Sequence, residues 1–162
     1  MTYPRAISAG GLQELFAQES GHAWITFIVV NHASMGTPLR ICNDMKDQTF
    51  GGDLYIGVPF EIALAVDDED TVPTVSLRLD NVGRDLVDTL RSITDRADVS
   101  VTHVRIDGAG AMTSEIGPLD FKLIGSEITM GIVDISLGLS TDPLNAPATK
   151  EIFTSTLAPG LF

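Results

Sequence analysis

The sequence predicts a mainly β domain, a β-sandwich or barrel, with one flanking α-helix and a short N-terminal helix. The first observation behind this prediction is a series of roughly seven or eight short apolar segments, rich in β-branched and aromatic residues and ended by turn residues. The second is one stretch with helical spacing, near residues 84–92, which follows a strictly alternating strand. The third is the length of 162 residues, which suits a single domain with a sizeable core.

The first part of the chain begins with a short amphipathic helix and continues as strands. Leu12, Leu15 and Phe16 recur at helical spacing, which predicts a helix from about Gly11 to Gln18. β-Branched and aromatic residues fill the segment 23–30, which is therefore the clearest strand. Further strands, expected to form successive antiparallel hairpins separated by a turn at 31–37 and a loop at Gly51-Gly52, are predicted at 38–43, 54–56 and 59–66.

The middle of the chain carries the predicted flanking helix. An acidic loop, Asp67-Asp68-Glu69-Asp70, separates the strand at 59–66 from a strand at 74–79, where Val75, Leu77 and Leu79 share one face. Asp80 or Asn81 can cap the helix that follows. The helix near 84–92 is predicted from the apolar residues Val82, Leu86, Val87, Leu90 and Ile93.

The remaining strands complete a predicted β domain over residues 1–139. Alternation is clean over 99–106, with Val99, Val101, His103 and Arg105 on one face. Gly108-Ala109-Gly110 and Gly117-Pro118 are typical of turns. The last strands are predicted at 119–124, 127–130 and 132–137.

Residues 140–162 form an extended C-terminal segment in this interpretation. Pro143, Pro147 and Pro159 interrupt any regular element. The segment nevertheless contains apolar side chains that a freely solvated tail would not favour. Two alternatives stay open, packing on its own core and packing on a neighbouring subunit. The candidate interface residues are Ile152, Phe153, Leu157, Pro159, Gly160, Leu161 and Phe162.

Composition excludes several classes of protein. The net charge is −12, and Lys and Arg are scattered rather than clustered, which argues against direct binding of nucleic acid. Cys42 is the only cysteine, so an internal disulfide is impossible, and we expect folding in a reducing cytoplasm. No apolar run is long enough to span a bilayer and no signal peptide is apparent, so we expect no membrane insertion.

No catalytic, cofactor or metal motif stands out. His22 and His32 are expected near opposite ends of the first strand, too far apart to share a metal ion, and His103 is alone. The acidic loop lacks the ligand spacing and glycine of a calcium loop, and a solvated turn is the favoured interpretation. We therefore predict a protein that is not an enzyme and binds no cofactor or metal.

Several segments in order resemble the DUF1833 family of bacteriophage tail-tip proteins. The matching segments are Val58-Pro59-Phe60-Glu61-Ile62, the acidic loop, Val75-Ser76-Leu77-Arg78-Leu79-Asp80-Asn81-Val82, the helix with Leu90-Arg91, and Pro159-Gly160-Leu161-Phe162. Gly83 departs from the family pattern, in which a polar or acidic residue is more usual. The resemblance implies a β-sandwich or barrel of the phage tail-tube type.

The resemblance also implies a function and partners. The expected function is that of a distal or minor tail protein, a ring-forming adaptor, usually six-fold, between the tail tube end and the tip or hub complex. Its expected partners are further copies of itself, the tail tube protein, and the hub or tape-measure protein. DNA would pass without specific binding along a lumen lined by Asp67, Asp68, Glu69 and Asp70, whose charge repels it. The expected location is the virion, after synthesis in the host cytoplasm.

Two other functions remain open at this stage. A receptor- or carbohydrate-binding domain of the tail tip would need an exposed aromatic platform, and the chain has one Trp and two Tyr. A cell-wall hydrolase accessory comes third, because no nucleophile and base are connected by a local motif.

Overall fold

The computed structural model shows a mainly β domain built on one nine-stranded sheet. It describes residues 7–63, 74–80, 87, 88, 91, 93, 96–129 and 132–139. The order of the strands across the sheet is β3-β4-β2-β1-β7-β8-β9-β6-β5. The elements are α1 (Ala9–Leu15), β1 (Ala23–Asn31), β2 (Leu39–Cys42), β3 (Gln48–Phe50), β4 (Asp53–Gly57), β5 (Phe60–Ala63), β6 (Thr74–Asp80), β7 (Asp98–Ile106), β8 (Met112–Ile128) and β9 (Ile132–Leu139). The prediction of a mainly β fold is confirmed.

The sheet rolls over so that strands far apart in its order share one core. Ile41 of β2 and Phe60 of β5 stand in the third and last strands, yet they belong to the same buried cluster. Every second residue of β6 and β9 points into this cluster, as the alternation of Val75, Leu77 and Leu79 predicts. We call this cluster the inner core. It consists of Ile28, Val30, Ile41, Phe60, Val75, Leu77, Leu79, Ala97, Val99, Val101, Val133, Ile135 and Leu137.

A second, smaller core lies on the opposite face of β1. Phe27, which is almost fully buried, stacks on Phe50 at 4.9 Å between ring centroids and meets Tyr55 edge-on at 4.8 Å. The β3–β4 hairpin contributes both partners, so it covers this face of the sheet. We call this cluster, which also includes Ile25, Cys42 and Val104, the outer core. Because β1 is apolar on both faces, its sequence reads as a continuous hydrophobic run.

The N-terminal helix is present with bounds that differ from the predicted ones, and the helix near 84–92 is described at three residues only. Helix α1 begins one residue after Ser8, whose hydroxyl accepts a hydrogen bond from the Gly11 N–H, and it ends at Leu15 rather than Gln18. Val87, Asp88 and Arg91 are helical, and Val87 packs against the inner core. The rest of the predicted helix at 84–92 lies outside the described residues.

Three strand predictions are wrong in detail. The segments at 119–124 and 127–130 are not separate, because β8 is one strand of 17 residues that runs through Gly117-Pro118. Gly117 sits at a shift in the β7–β8 register, where its φ of 105° and a Val101 oxygen 2.6 Å from an ideal Cβ both require glycine. The hairpins are not all successive either. β1 pairs with the distant β7, and β2 pairs in parallel with β4. The third error is an omission, since β3 was not foreseen.

Replacing Gly57 with alanine is expected to lower the free energy of unfolding by about 1–3 kcal/mol. An ideal Cβ there lies 2.6 Å from the backbone oxygen of Lys46, which cannot move aside as a side chain can. Urea denaturation of the variant measures the effect. Gly125→Ala, in another strand with no heavy atom near its ideal Cβ, is the matched control and should change stability by less than about 0.5 kcal/mol. Equal stability of the two variants would contradict the close packing of β4 against the 44–46 loop.

Candidate functional site

One exposed apolar surface is a cleft beside the short pairing of β2 and β4. Their parallel pairing covers only Ile41 with Ile56 and Cys42 with Gly57. Beyond this pairing Arg40 of β2 and Asp53 of β4 form an ion pair at 3.1 Å, and a cavity of about 300 Å³ is lined by residues of both strands. Leu54 is 62% exposed and Ile56 is 50% exposed, although the register places both on the inner face of the sheet. We call this the β2–β4 cleft. Its lining is Met35, Thr37, Pro38, Leu39, Arg40, Leu54 and Ile56.

A second apolar surface lies on α1. Leu12 and Leu15 are about half exposed, and Phe16 is 86% exposed. Exposed large side chains scattered singly are common, but two on one short helix and a third at its C-cap, Phe16, form a contiguous patch. We call it the α1 patch. The amphipathic spacing predicted from the sequence is therefore present, but its apolar side faces outward.

A buried polar network holds α1 on the sheet. The Glu115 side chain of β8 is 1% exposed, and its Oε1 accepts a hydrogen bond from the Arg105 Nε at 2.9 Å. The other carboxylate oxygen, Oε2, accepts from the Ser8 N–H at 2.9 Å, and the Ser8 hydroxyl donates to Oε1 at 3.0 Å. Gly11 allows this approach, since an ideal Cβ there would lie 2.9 Å from Oε2. The network fixes the N-terminus of α1 and thereby sets the direction of the α1 patch.

The charge of Glu115 follows from these contacts. Burial alone would raise the pKa of the carboxyl group, because it disfavours the charged form. The hydrogen bonds from Ser8 and the Arg105 guanidinium outweigh burial, and the pKa falls below the ordinary value of 4.5. Glu115 is therefore ionised and paired at neutral pH. Sequence reasoning missed it, because its partners are distant along the chain and no local motif marks them.

The α1 patch and the β2–β4 cleft lie at opposite ends of β1. Trp24, near the start of β1, pairs with Arg105, which anchors α1 through Glu115. Val30, near the other end, pairs with Leu39 at the cleft. The nine residues of β1 separate the two surfaces by about 25 Å along the strand. Each copy of the chain therefore presents two different apolar surfaces on a rigid sheet.

The outer face of β5, β6 and β9 carries several exposed charged residues. Cross-strand pairs form a row of charged residues, Glu61 with Arg78, Arg78 with Asp134, and Asp134 with Glu127 of β8. All four residues are exposed. Three carboxylates and one guanidinium give this row a negative sum. The sequence predicted Arg78 on the face opposite Val75, Leu77 and Leu79, and this placement is confirmed.

The residues proposed from the sequence as functional lie outside the described part of the chain. These are the acidic loop Asp67, Asp68, Glu69 and Asp70, and the interface candidates Ile152, Phe153, Leu157, Pro159, Gly160, Leu161 and Phe162. What the structure does place are the strands that lead to them. β5 ends at Ala63, and β6 begins at Thr74, which pairs with Gly138 near the end of β9. Both segments therefore join the sheet at the end where the β2–β4 cleft opens.

The histidines and the cysteine have local partners. His22 and His32 bracket β1 as predicted, with His22 Nδ1 3.1 Å from Glu14 Oε2 and His32 Nδ1 2.6 Å from the Ser34 hydroxyl. His103 Nδ1 lies 2.9 Å from the Thr26 hydroxyl, and burial lowers the pKa of this imidazole. Burial, followed by the charge of Asp44, raises the pKa of the Cys42 thiol. Cys42 is fully buried, so its thiol is a packing group of the outer core.

The described residues contain neither a cluster of metal ligands nor a membrane-spanning helix. Across the described ranges, no three His, Cys, Asp or Glu side chains come together in a way that could hold a metal ion. None of the helices in the described part of the chain has the length and apolar character needed to cross a bilayer.

Comparison with known proteins identifies the family. A search of curated proteins gave no match. A family model matches residues 11–153, a range that contains every strand of the sheet and the α1 patch. The family is described as a domain of unknown function, and the chain belongs to this family, DUF1833.

Proposed function

We propose that the protein is a structural subunit of a bacteriophage tail tip, in which copies join into a closed ring between the end of the tail tube and the tip or hub complex. The family membership supports the proposal through the tail-tip role that the resemblance implies. The tail tube protein and the hub or tape-measure protein would be its neighbours in the virion. The ring would have a lumen through which DNA passes without specific binding.

The observation that carries the proposal is the pair of different apolar surfaces at opposite ends of β1. A closed ring needs a heterologous interface, in which one surface of a copy contacts a different surface of the next. The α1 patch and the β2–β4 cleft differ from each other, so each can contact a different part of a neighbouring copy. Covering Phe16 and Leu54 in an assembly would remove apolar area from water, which favours association.

The charge distribution supports the lumen. The row Glu61, Arg78, Asp134 and Glu127 faces away from the inner core, on the same face as Thr74 and Ser76, with Ile132 at its margin. The whole chain carries a net charge of −12. A negatively charged wall repels the phosphates of a duplex, so DNA would slide rather than stick. The acidic loop 67–70 would add to this wall.

The α1 patch provides the test of the proposal. Phe16→Glu is expected to weaken self-association at least tenfold, because it puts a charge into a surface that would be covered, while the fold should stay intact since Phe16 is 86% exposed. Multi-angle light scattering at several protein concentrations measures the association. Met45→Glu, at a side chain that is 91% exposed and belongs to neither surface, is the matched control. Identical association of the two variants and the native chain would contradict a role for the α1 patch in the ring.

A further inference from the structure

We propose that the β2–β4 cleft receives the apolar C-terminal segment, residues 152–162, of a neighbouring copy of the chain. This inference rests on the ring proposed above. It names the segment of one copy that binds the β2–β4 cleft of the next. It joins an open apolar cavity in the described part of the chain to the one long apolar stretch that follows β9.

The cleft requires an apolar occupant. Leu54 and Ile56 lie on the inner face of the sheet, where the large apolar side chains of the other strands are buried in the inner core or packed against it. At β4 this face continues past the edge of the inner core, so these two side chains are left half or more exposed beside Pro38 and Leu39. A cavity of about 300 Å³ is at the lower end of the range that takes small ligands, and it suits one or two large apolar side chains.

The C-terminal segment has matching chemistry. Residues 152–162 include no charged side chain, and Ile152, Phe153, Leu157, Leu161 and Phe162 are large and apolar. Pro159 has no N–H to donate, so the segment is poorly suited to extending the sheet as a regular strand. The expected contact is therefore the insertion of side chains between β2 and β4.

The geometry of the sheet places the start of the C-terminal segment within reach of the β2–β4 cleft. Cross-strand pairs lead from Leu139 to Phe121, Val99, Val30 and then Leu39. Four steps between neighbouring strands span about 19 Å. The chain continues for 23 residues beyond Leu139, which is about 75 Å when extended. The segment thus starts at the cleft end of the sheet and is long enough to reach the cleft of the next copy.

Cysteine cross-linking tests the pairing in the full-length chain. One variant carries Leu54→Cys and another carries Leu161→Cys; Cys42 remains in both, fully buried and out of reach of oxidant. Mixing the two variants and oxidising should give a covalent dimer of twice the chain mass, at least tenfold more than a mixture of Met45→Cys with Leu161→Cys. A second measurement uses Leu54→Glu and Ile56→Glu, which should weaken self-association at least tenfold relative to Met45→Glu.

The outcomes separate this inference from the ring itself. If the native chain assembles but the mixed variants give no dimer above the Met45 control, the ring stands and the inference is overturned. If a single chain carrying both Leu54→Cys and Leu161→Cys closes on itself as a monomer instead, the segment occupies its own cleft and the inference is again overturned. If the native chain stays monomeric at every concentration tested, the proposed function and the inference fail together.

Discussion

Replacing Glu115 with alanine is expected to lower the free energy of unfolding by about 3–5 kcal/mol. The substitution leaves the Arg105 guanidinium, whose side chain is only 17% exposed, without its carboxylate and removes the acceptor of both Ser8 hydrogen bonds. An unpaired charge in a mostly buried position is far more costly than a pair. Chemical denaturation followed by fluorescence of the single Trp measures the loss.

The control for this prediction lies on the same strand. Glu127 is also a carboxylate of β8, but it is exposed, so Glu127→Ala should change stability by less than about 0.5 kcal/mol. Hydrogen exchange of the α1 amides adds a local readout, because without Glu115 the helix loses its anchor and should exchange faster. Native-like stability of Glu115→Ala would show that the network does not hold α1 on the sheet.

The lowered pKa of Glu115 predicts that its contribution to the stability of the fold decreases at acidic pH. The folded-state pKa of Glu115 lies below 4.5, so its contribution to stability is fully present above the ordinary pKa and is lost as the pH falls through the folded value. The difference in unfolding free energy between the native chain and Glu115→Gln should therefore be constant near neutral pH and shrink below about pH 4.5. A difference that stays constant down to strongly acidic pH would contradict an ionised, paired Glu115.

Phe27→Ala is expected to cost about 3–5 kcal/mol. Phe27 fills the outer core between the Phe50 and Tyr55 rings, so alanine leaves a cavity and removes two aromatic contacts. Thermal and urea unfolding, at concentrations too low for copies to associate, measure the effect. Phe16→Ala is the matched control, since its ring is 86% exposed and should contribute little to the stability of one copy. If the two phenylalanine variants unfolded alike, the β3–β4 hairpin would not be covering a core.

Local patterns were sufficient to predict most strands of the sheet. In β6, alternation at Val75, Leu77 and Leu79 reflects a face that packs on the inner core, and the opposite face is exposed. Periodicity of this kind depends only on neighbours along the chain. In β8 the local signal misled, because Gly117-Pro118 is typical of a turn but here lies at a register shift inside one long strand. The reason for a glycine at position 117 becomes visible only from the pairing of β8 with β7.

The two candidate surfaces were harder to predict from the sequence than the strands were. Helical spacing predicted the apolar side of α1 at Leu12, Leu15 and Phe16, but not that this side faces outward. That direction depends on Glu115 and Arg105, which lie about a hundred positions away along the chain. The β2–β4 cleft lies beside two strands that pair for only two residues, a feature of tertiary geometry that no local pattern encodes.

The association of identical copies by a heterologous contact is the central claim, and the mass of the native chain in solution tests it most directly. Sedimentation equilibrium over a range of concentrations distinguishes a closed ring from both a monomer and an open polymer. We predict one species whose mass is a whole-number multiple of 17.3 kDa and stops rising with concentration, about 104 kDa for six copies. A mass of 17.3 kDa at every concentration would contradict the account.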